Sequence, residues 1–229
     1  MAASCSSDRV WVTRHGERLD AVDLRWRDTH PSCNEDDPPL TDRGRRQAAE
    51  AGERLKTENV RHIFSSPFQR CVETSHIIAE KLDGVSVKLE PGICESFNHC
   101  NFPPGFKSVD ELKRLFPSVD PSYQHVLVPK ERERFDLDCF PRVAKTVLTI
   151  RQRYPYSESL LFVGHGATVG GMLHAFTKGD KPAGFNYEGV GYCTLSFLER
   201  ANNDERWTAK YIGNADHIRW KAWCLLDFS

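Results

Sequence analysis

Two histidines in this sequence share one local arrangement. His15 ends an apolar, β-branched run in the motif Arg14-His15-Gly16-Glu17-Arg18, and His165 follows a second apolar run in Gly164-His165-Gly166. Such runs are typical of buried strands. A histidine at the carboxyl end of a strand is a candidate nucleophile, and flanking glycines allow a ligand to approach the backbone. Either motif alone also fits a capped strand end or a structural histidine, but the repetition favours one shared chemical site.

A further arginine points to an anionic ligand. Arg70 is predicted in the first turn of a helix that Ser66 caps and Pro67 begins. A helix N-terminus favours anions, and a guanidinium adds a planar pair of donors for phosphate oxygens. On its local sequence alone, Arg70 could equally form a surface ion pair with Glu73 or Glu80.

A carboxylic acid follows another predicted strand. Glu95 lies just beyond the turn that ends a strand over residues 85–89, and it has aromatic neighbours. A carboxyl group held there could have a raised pKa, as a general acid requires. Most exposed glutamates have no such role, so the local sequence leaves an ordinary surface carboxylate open. The following loop, residues 98–107, is expected to face substrate, although its aromatic residues could equally belong to the core.

Strand and helix patterns alternate along the chain. The predicted strands cover residues 10–13, 60–64, 85–89, 159–163, 192–198 and 206–212, and the predicted helices cover 42–56, 67–82, 108–116, 139–154 and a stretch that starts after His165. The polar segment 19–40 is expected to be a functional loop or a disordered insertion. The alternation predicts a three-layer α/β fold, with a mostly parallel sheet between helices, as one domain over residues 1–229.

In such a fold, ligands bind outside the carboxyl ends of the strands, where His15, Arg70, Glu95 and His165 all fall. This combination suits phosphoryl transfer. Arginines would hold the nonbridging oxygens, a neutral imidazole would attack phosphorus in line, and a carboxylic acid would protonate the leaving oxygen. Fixed cations would meet the charge, so the sequence predicts neither a metal nor a cofactor.

Composition limits the other classes of function. The 31 basic and 32 acidic residues nearly balance, which argues against a dedicated nucleic-acid or membrane-surface protein. The eight cysteines form no CxxC pair, so they are interpreted as reduced thiols. No leader-like apolar segment precedes the first strand, and no run approaches the ~18 apolar residues of a membrane span. A cytoplasmic protein is expected.

The motifs together resemble those of the histidine phosphatase superfamily, also called phosphoglycerate mutase-like. The resemblance rests on Arg14-His15-Gly16, Leu40-Thr41 with Gly44, Ser66-Pro67 with Arg70, and Gly164-His165-Gly166. It implies a phosphohistidine intermediate on His15, a phosphate pocket of Arg14, Arg18, Arg70 and His165, and Glu95 as the acid. The loop after Glu95, residues 96–102, departs from the tryptophan-containing pattern expected there.

Within the superfamily, Arg14-His15-Gly16-Glu17-Arg18 and the segment 70–74 look most like the phosphatase domain of TULA/Sts proteins and like insect ecdysteroid-phosphate phosphatases. This resemblance implies a phosphomonoesterase that acts on protein phosphotyrosine or on a hydrophobic small phosphate such as a steroid phosphate. It also suggests a homodimer, to which the hairpin 192–212 could contribute an edge.

Three alternatives accompany this interpretation. A phosphatase-like domain could bind phosphorylated partners as a scaffold without turnover. A phosphoglycerate mutase is less favoured, because residues 96–135 do not resemble the mutase insertion. A cysteine-dependent tyrosine phosphatase is excluded, because no cysteine is followed by arginine six positions later.

Overall fold

The computed structural model describes residues 7–29, 36–178, 190–201 and 206–219. Within these ranges the strands form one sheet, and their bounds are β1 Asp8–Arg14, β2 Val60–Ser65, β3 Val87–Leu89, β4 Ser159–Gly164, β5 Leu195–Arg200 and β6 Thr208–Asn214. The strand order is β3-β2-β4-β1-β5-β6. The pairs among β1, β2, β3 and β4 are parallel, whereas β5 runs antiparallel to both β1 and β6. The sheet is therefore mixed but mostly parallel, as predicted.

Helices cover both faces of this sheet. Their bounds are α1 Trp26–Thr29, α2 Asp42–Leu55, α3 Gln69–Lys81, α4 Val109–Leu115, α5 Phe140–Arg153 and α6 Gly166–Thr177. Helices α2, α3 and α4 share one core cluster with Trp11 and Leu161, and α5 and α6 share another with Val10 and Phe162. These strand residues are sequence neighbours, and successive side chains of a strand point to opposite faces. Consecutive apolar residues in β1 and β4 therefore face the helices on both sides of the sheet, which gives the predicted three layers.

The parallel strands bring their carboxyl ends to one edge. Arg14, the last residue of β1, lies opposite Gly164, the last residue of β4. His15 and His165 therefore leave the sheet side by side. The ends of β2 and β3 are level with them, so the turns after all four parallel strands meet at this edge.

The start of α2 agrees with the sequence analysis. The Thr41 hydroxyl accepts a hydrogen bond from the Gly44 N–H at 2.9 Å, which caps the helix. The small residues Ala48, Ala51 and Gly52 are buried. They let the helix pack closely against the sheet and against α3.

The start of α3 differs from the prediction. The helix begins at Gln69, after Phe68, and not at Pro67 after a Ser66 cap. The Gln69 N–H donates instead to Oδ1 of Asp37 at 2.6 Å. The Ser66 hydroxyl is engaged by a histidine described below. A distant carboxylate has thus replaced the local cap.

The remaining elements shift by a few residues. Strand β3 is shorter than the predicted 85–89, and the hairpin strands lie at 195–200 and 208–214, two to three residues later than predicted. Segment 19–40 contains a 3-10 turn over Leu19–Ala21 and the short helix α1. Its residues 30–35 lie outside the described residues, as do residues 220–229. None of the described helices is long and apolar enough to cross a membrane.

Candidate active site

His15 is held with its Nε2 atom available. Its backbone N–H donates to the Gly164 carbonyl at 3.0 Å, and its Nδ1 lies 2.7 Å from the Gly16 carbonyl oxygen. Because a carbonyl only accepts, this bond places the ring proton on Nδ1 and leaves a lone pair on Nε2. The ring is 1% exposed, and burial, with Arg70 and Arg14 nearby, lowers the pKa of His15 well below 6.5. The imidazole is therefore neutral at pH 7.

The glycine after His15 is required by the packing of two turns. A Cβ on Gly16 would lie 2.5 Å from the Gly44 carbonyl oxygen, and a Cβ on Gly44 would lie 2.2 Å from the Glu17 oxygen. The turn after β1 thus rests directly on the first turn of α2. Gly16 thus allows a close approach of protein backbone, and not of a ligand as the sequence had suggested.

Arg70 is almost completely buried, at 1% exposure. Its Nη1 donates to the Asp36 carbonyl at 2.8 Å, and its Nη2 donates to Nδ1 of His165 at 3.1 Å. Its Cζ atom lies 4.6 Å from the centre of the Phe68 ring. These contacts fix the guanidinium at the edge where the strands end.

The alternative of a surface ion pair for Arg70 is wrong. Glu73 instead accepts hydrogen bonds from the Arg45 side chain at 2.6 Å and from the Leu40 N–H at 3.0 Å. Glu80 lies on the exposed side of α3, where its carboxylate is 3.7 Å from His76.

His165 lies between Arg70 and Ser66. Because Arg70 donates to Nδ1, the ring proton is on Nε2, which donates to the Ser66 hydroxyl at 2.8 Å. Burial and the neighbouring cation Arg70 lower the pKa of His165 well below 6.5, so this ring is also neutral. The ring centres of His165 and His15 are 5.3 Å apart.

Glu95 reaches the same place from the turn after β3. Its Oε1 accepts a hydrogen bond from the Ser96 N–H at 3.0 Å. Its Oε2 lies 3.6 Å from Nη2 of Arg70 and 3.4 Å from Nδ1 of His165. The residue is 7% exposed, so it is not an ordinary surface glutamate. We call residues 91–97 the Glu95 loop.

The other two arginines differ in how firmly they are held. Arg14 lies with Cζ 4.5 Å from the Tyr192 ring centre, and its Nη1 donates to the Val190 carbonyl at 3.2 Å. Arg18 is about one-third exposed, and its Nε pairs with Asp20 at 2.8 Å. Both cations contribute to the lowered pKa of His15. We call Arg14, His15, Arg18, Arg70 and His165 the histidine-arginine cluster.

Sequence reasoning missed three residues at this edge. Tyr192 was predicted within a strand, but its ring centre lies 5.6 Å from that of His15. Ser66 was interpreted only as a helix cap. Asp37 received no role, yet its Oδ1 lies 3.7 Å from Nη1 of Arg70, and burial raises its pKa to about 6 against the opposing effect of that arginine. Asp37 directly precedes Pro38-Pro39-Leu40-Thr41, and this position was the signal in the sequence that could have identified it.

Chemically, the cluster surrounds a neutral imidazole with guanidinium groups. Buried Nε atoms of Arg14 and Arg70 have no hydrogen-bond partner within the described residues. Such donors suit an oxyanion with several oxygens. Among the described residues, no group of three His, Cys, Asp or Glu side chains could hold a metal ion.

Comparison with known proteins agrees with this geometry. Residues 10–214 match the family model of the histidine phosphatase superfamily, branch 1. The chain belongs to this superfamily. Its members include phosphatases and phosphoglycerate mutases, and their ligands are phosphate esters.

Two relatives and one solved structure show the similarity in more detail. Human ubiquitin-associated and SH3 domain-containing protein A is 28% identical over 207 residues, which cover 74% of this chain and 31% of that protein. Ecdysteroid-phosphate phosphatase of Bombyx mori is 29% identical over 210 residues, which cover 76% and 31%. The chain thus spans about a third of the length of these relatives.

The solved structure is that of the Bombyx mori ecdysone phosphate phosphatase in complex with tungstate. It matches with a TM-score of 0.69 and 26% identity, over 90% of this chain and 93% of that chain. The α/β fold is therefore phosphoglycerate mutase-like, as the sequence resemblance implied.

Proposed function

We propose that the protein is a metal-independent phosphomonoesterase that works through a phosphohistidine on His15. One observation carries this proposal. The Gly16 carbonyl holds the proton on Nδ1 of His15, so that a neutral Nε2 with a lone pair stands among three arginines and His165. A cationic surrounding attracts a phosphate dianion, while the uncharged ring remains nucleophilic. Residues 10–214, which match the superfamily, contain every member of the site. They belong to the single catalytic domain that we propose for residues 1–229.

In the first step, the lone pair of His15 Nε2 attacks phosphorus. The bond between phosphorus and the ester oxygen breaks, and its electron pair stays on that oxygen. Glu95 in its protonated form donates a proton there, so the alcohol or phenol leaves neutral. The products of this step are the free alcohol and a phosphohistidine.

In the second step, water attacks the phosphohistidine. Glu95, now a carboxylate, accepts the proton of that water. The bond between phosphorus and nitrogen breaks, and its electron pair returns to Nε2. Inorganic phosphate leaves, and Glu95 is protonated again for the next turnover.

The arginines hold the phosphoryl oxygens during both steps. Both ring nitrogens of His165 are already engaged, by Arg70 and by Ser66, so His165 serves the phosphate pocket by orienting the Arg70 guanidinium. Arg70 and Arg14 have buried Nε–H groups that can donate to the transferring group. Arg18 adds charge from a more exposed position, while its own carboxylate partner Asp20 reduces that effect. His165 donates no proton to His15, because its ring proton is directed to Ser66.

The substrate is proposed to carry an aromatic or apolar group, either protein phosphotyrosine or a hydrophobic phosphate such as a steroid phosphate. Phe68 and Phe97 are fully buried in a small core cluster. The aromatic surface proposed to meet the substrate is therefore that of the half-buried Phe102 and Phe106, which pack against this cluster. The name of the Bombyx mori relative supports a steroid phosphate, and its structure with tungstate supports an oxyanion site.

The test is turnover of a phosphotyrosine peptide and a steroid phosphate side by side, in EDTA, with His15→Ala as the blank. Turnover by the wild type and none by the blank is the expected result. A preference between the substrates would choose between the two classes. Silence of the wild type on both would contradict the proposal and favour a scaffold that binds phosphorylated partners.

A further inference from the structure

A buried ion pair lies behind the Glu95 loop. Arg142, near the start of α5, donates from Nε to Glu133 Oε1 at 2.7 Å and from Nη2 to Glu133 Oε2 at 2.8 Å. The two side chains are only 8% and 10% exposed. Burying such a pair removes two charges from water, and this cost is recovered only when the remaining donors and acceptors are also satisfied.

The remaining donors of Arg142 are satisfied by the Glu95 loop. Its Nη1 donates to the carbonyl oxygens of Gly92 and Cys94, both at 3.1 Å, and its Nη2 reaches that of Glu95 at 3.4 Å. Glu133 accepts a hydrogen bond from the Phe97 N–H at 3.2 Å. The ion pair therefore bonds to the backbone on both sides of Glu95 and at Glu95 itself.

Packing presses the same loop onto α5. A Cβ on Gly92 would lie 2.2 Å from the Thr146 hydroxyl oxygen, so no gap separates the loop from the helix. The Arg142 guanidinium also lies 5.2 Å from the centre of the Phe97 ring. In contrast, the Glu95 side chain has a single protein hydrogen-bond donor within the loop, the Ser96 N–H. The position of its carboxyl group thus depends on the backbone that Arg142 and Glu133 hold.

We propose that Arg142 and Glu133 are positioning residues for the general acid. They set the distance between Glu95 and the ester oxygen of the substrate, without touching the substrate themselves. This inference rests on the proposed function of Glu95. Proton transfer requires the donor within hydrogen-bond distance of the leaving oxygen, and a displacement of 1 Å can lower a rate by ~10²-fold.

The experiment compares kcat/KM on two substrates, nitrophenyl phosphate and a simple alkyl phosphate. Nitrophenolate leaves readily without a proton, whereas an alkoxide needs one. A positioning defect therefore lowers kcat/KM more on the alkyl substrate. Because kcat/KM ends with formation of the phosphohistidine, hydrolysis of that common intermediate does not obscure the difference.

The reference variant is Glu95→Gln. We expect it to lower kcat/KM by ~10²-fold or more on the alkyl phosphate beyond its effect on nitrophenyl phosphate, the usual contribution of a general acid. Arg142→Met is expected to show the same selective loss at about 10-fold or more. Arg142→Lys keeps the charge but loses the planar pair of donors, so its selective loss is expected to be smaller.

Arg151 provides a matched control on the same helix. Its side chain is 3% exposed, pairs with Asp8 at 3.2 Å and donates to the backbone carbonyls of Tyr154, Pro155 and Glu158. Asp8 begins β1, at the end of the sheet opposite the site. Arg151→Met should lower thermal stability much as Arg142→Met does, while the ratio of the two kcat/KM values stays at the wild-type value.

Inhibition by inorganic phosphate shows whether the histidine-arginine cluster survives each substitution. We expect a wild-type inhibition constant for the folded Arg142 variants. If Arg142→Met fails to fold, Glu133→Gln serves as the second variant, because it removes the charge but keeps an acceptor for Phe97. An equal loss of kcat/KM on both substrates in the folded variants would overturn the positioning role of Arg142 and Glu133. A Glu95→Gln variant without selective loss would instead overturn the proposed role of Glu95.

Discussion

The histidine-arginine cluster and the Glu95 loop meet at one sheet edge but are positioned by different parts of the chain. His15 and His165 follow strands directly, and the pairing of Arg14 with Gly164 brings the two histidines together. The Glu95 loop depends on Glu133 and Arg142, which lie 36 and 47 residues away from the loop atoms they bind. Strand topology thus places the two histidines, whereas a distant ion pair holds the loop of the proposed acid.

This difference has a consequence for substitutions. Substitutions in the histidine-arginine cluster should lower kcat/KM for every substrate, because all phosphate esters present the same phosphoryl group to it. Substitutions that displace the Glu95 loop, such as those at Arg142, should selectively lower kcat/KM for substrates with poor leaving groups.

Replacement of the nucleophile should have the largest effect. His15→Ala is expected to lower kcat/KM by ~10⁴-fold or more on both nitrophenyl and alkyl phosphates, since effects of this order or larger follow loss of a nucleophile. Steady-state kinetics measures the loss, and a melting curve checks that the variant folds. Comparable turnover by folded His15→Ala would show that another residue carries the phosphoryl group.

Replacement of the arginines should rank them by burial. Arg70→Met is expected to lower kcat/KM by ~10² to 10³-fold, because it removes a buried donor that we propose holds the phosphoryl oxygens. Arg18→Met should lower kcat/KM by about 10-fold or less, since this arginine is partly exposed and already paired with Asp20. Both losses should be equal for aryl and alkyl substrates. An effect of Arg18→Met as large as that of Arg70→Met would contradict this ranking.

The pH profile should show no histidine limb near pH 6.5. Burial and the arginines Arg70, Arg14 and Arg18 lower the pKa of His15, so the ring stays neutral as the pH falls through 6.5. The acid side of kcat/KM should therefore follow the second ionisation of the substrate phosphate, with a pKa of about 6. Two substrates whose phosphates have different second pKa values distinguish titration of the substrate from titration of the enzyme. A limb near 6.5 shared by both substrates would place the titration on the enzyme.

The smallest expected effect is that of Asp37, and it concerns the free energy of unfolding, not activity. Its pKa is raised from 3.8 to about 6, mainly by burial, with Arg70 and Lys107 opposing. The native state therefore binds this proton more tightly than the unfolded state, and the free energy of unfolding falls as pH rises through this window, by on the order of 3 kcal/mol at most.

Urea unfolding of wild type and Asp37→Asn at pH 4 and pH 7 measures this contribution. Asparagine stays neutral, so the stability of the variant relative to wild type should increase from pH 4 to pH 7. The buried histidines lose stability in the opposite direction, on acidification, but they are common to both proteins and cancel in the difference. A difference that does not change with pH would refute the raised pKa.

Most of the fold and the cluster could be predicted from the sequence because their signals are local. Continuous apolar runs identified β1 and β4, and the repeated histidine motifs marked their ends. Thr41 was recognised as a cap because it bonds within its own turn. Parallel pairing then required that the marked ends meet.

The residues that could not be predicted act across long distances. Ser66 and Pro67 form a strong local helix start, but the Ser66 hydroxyl bonds His165, and Asp37 caps α3 instead. Tyr192 fits the alternation of the following strand, yet lies before it against Arg14. Nothing in the local sequence of Arg142 indicates that it bonds the backbone of a loop 47 residues earlier.

The most direct test of the account is to trap the phosphorylated enzyme. Wild type and His15→Ala would be mixed rapidly with nitrophenyl phosphate in EDTA and quenched in alkali, because phosphohistidine is labile in acid. Mass spectrometry of the peptide that contains His15 should show one added phosphoryl group in wild type and none in the variant. Burst release of nitrophenol without phosphate on that peptide, or phosphate on another residue, would contradict a phosphohistidine mechanism on His15.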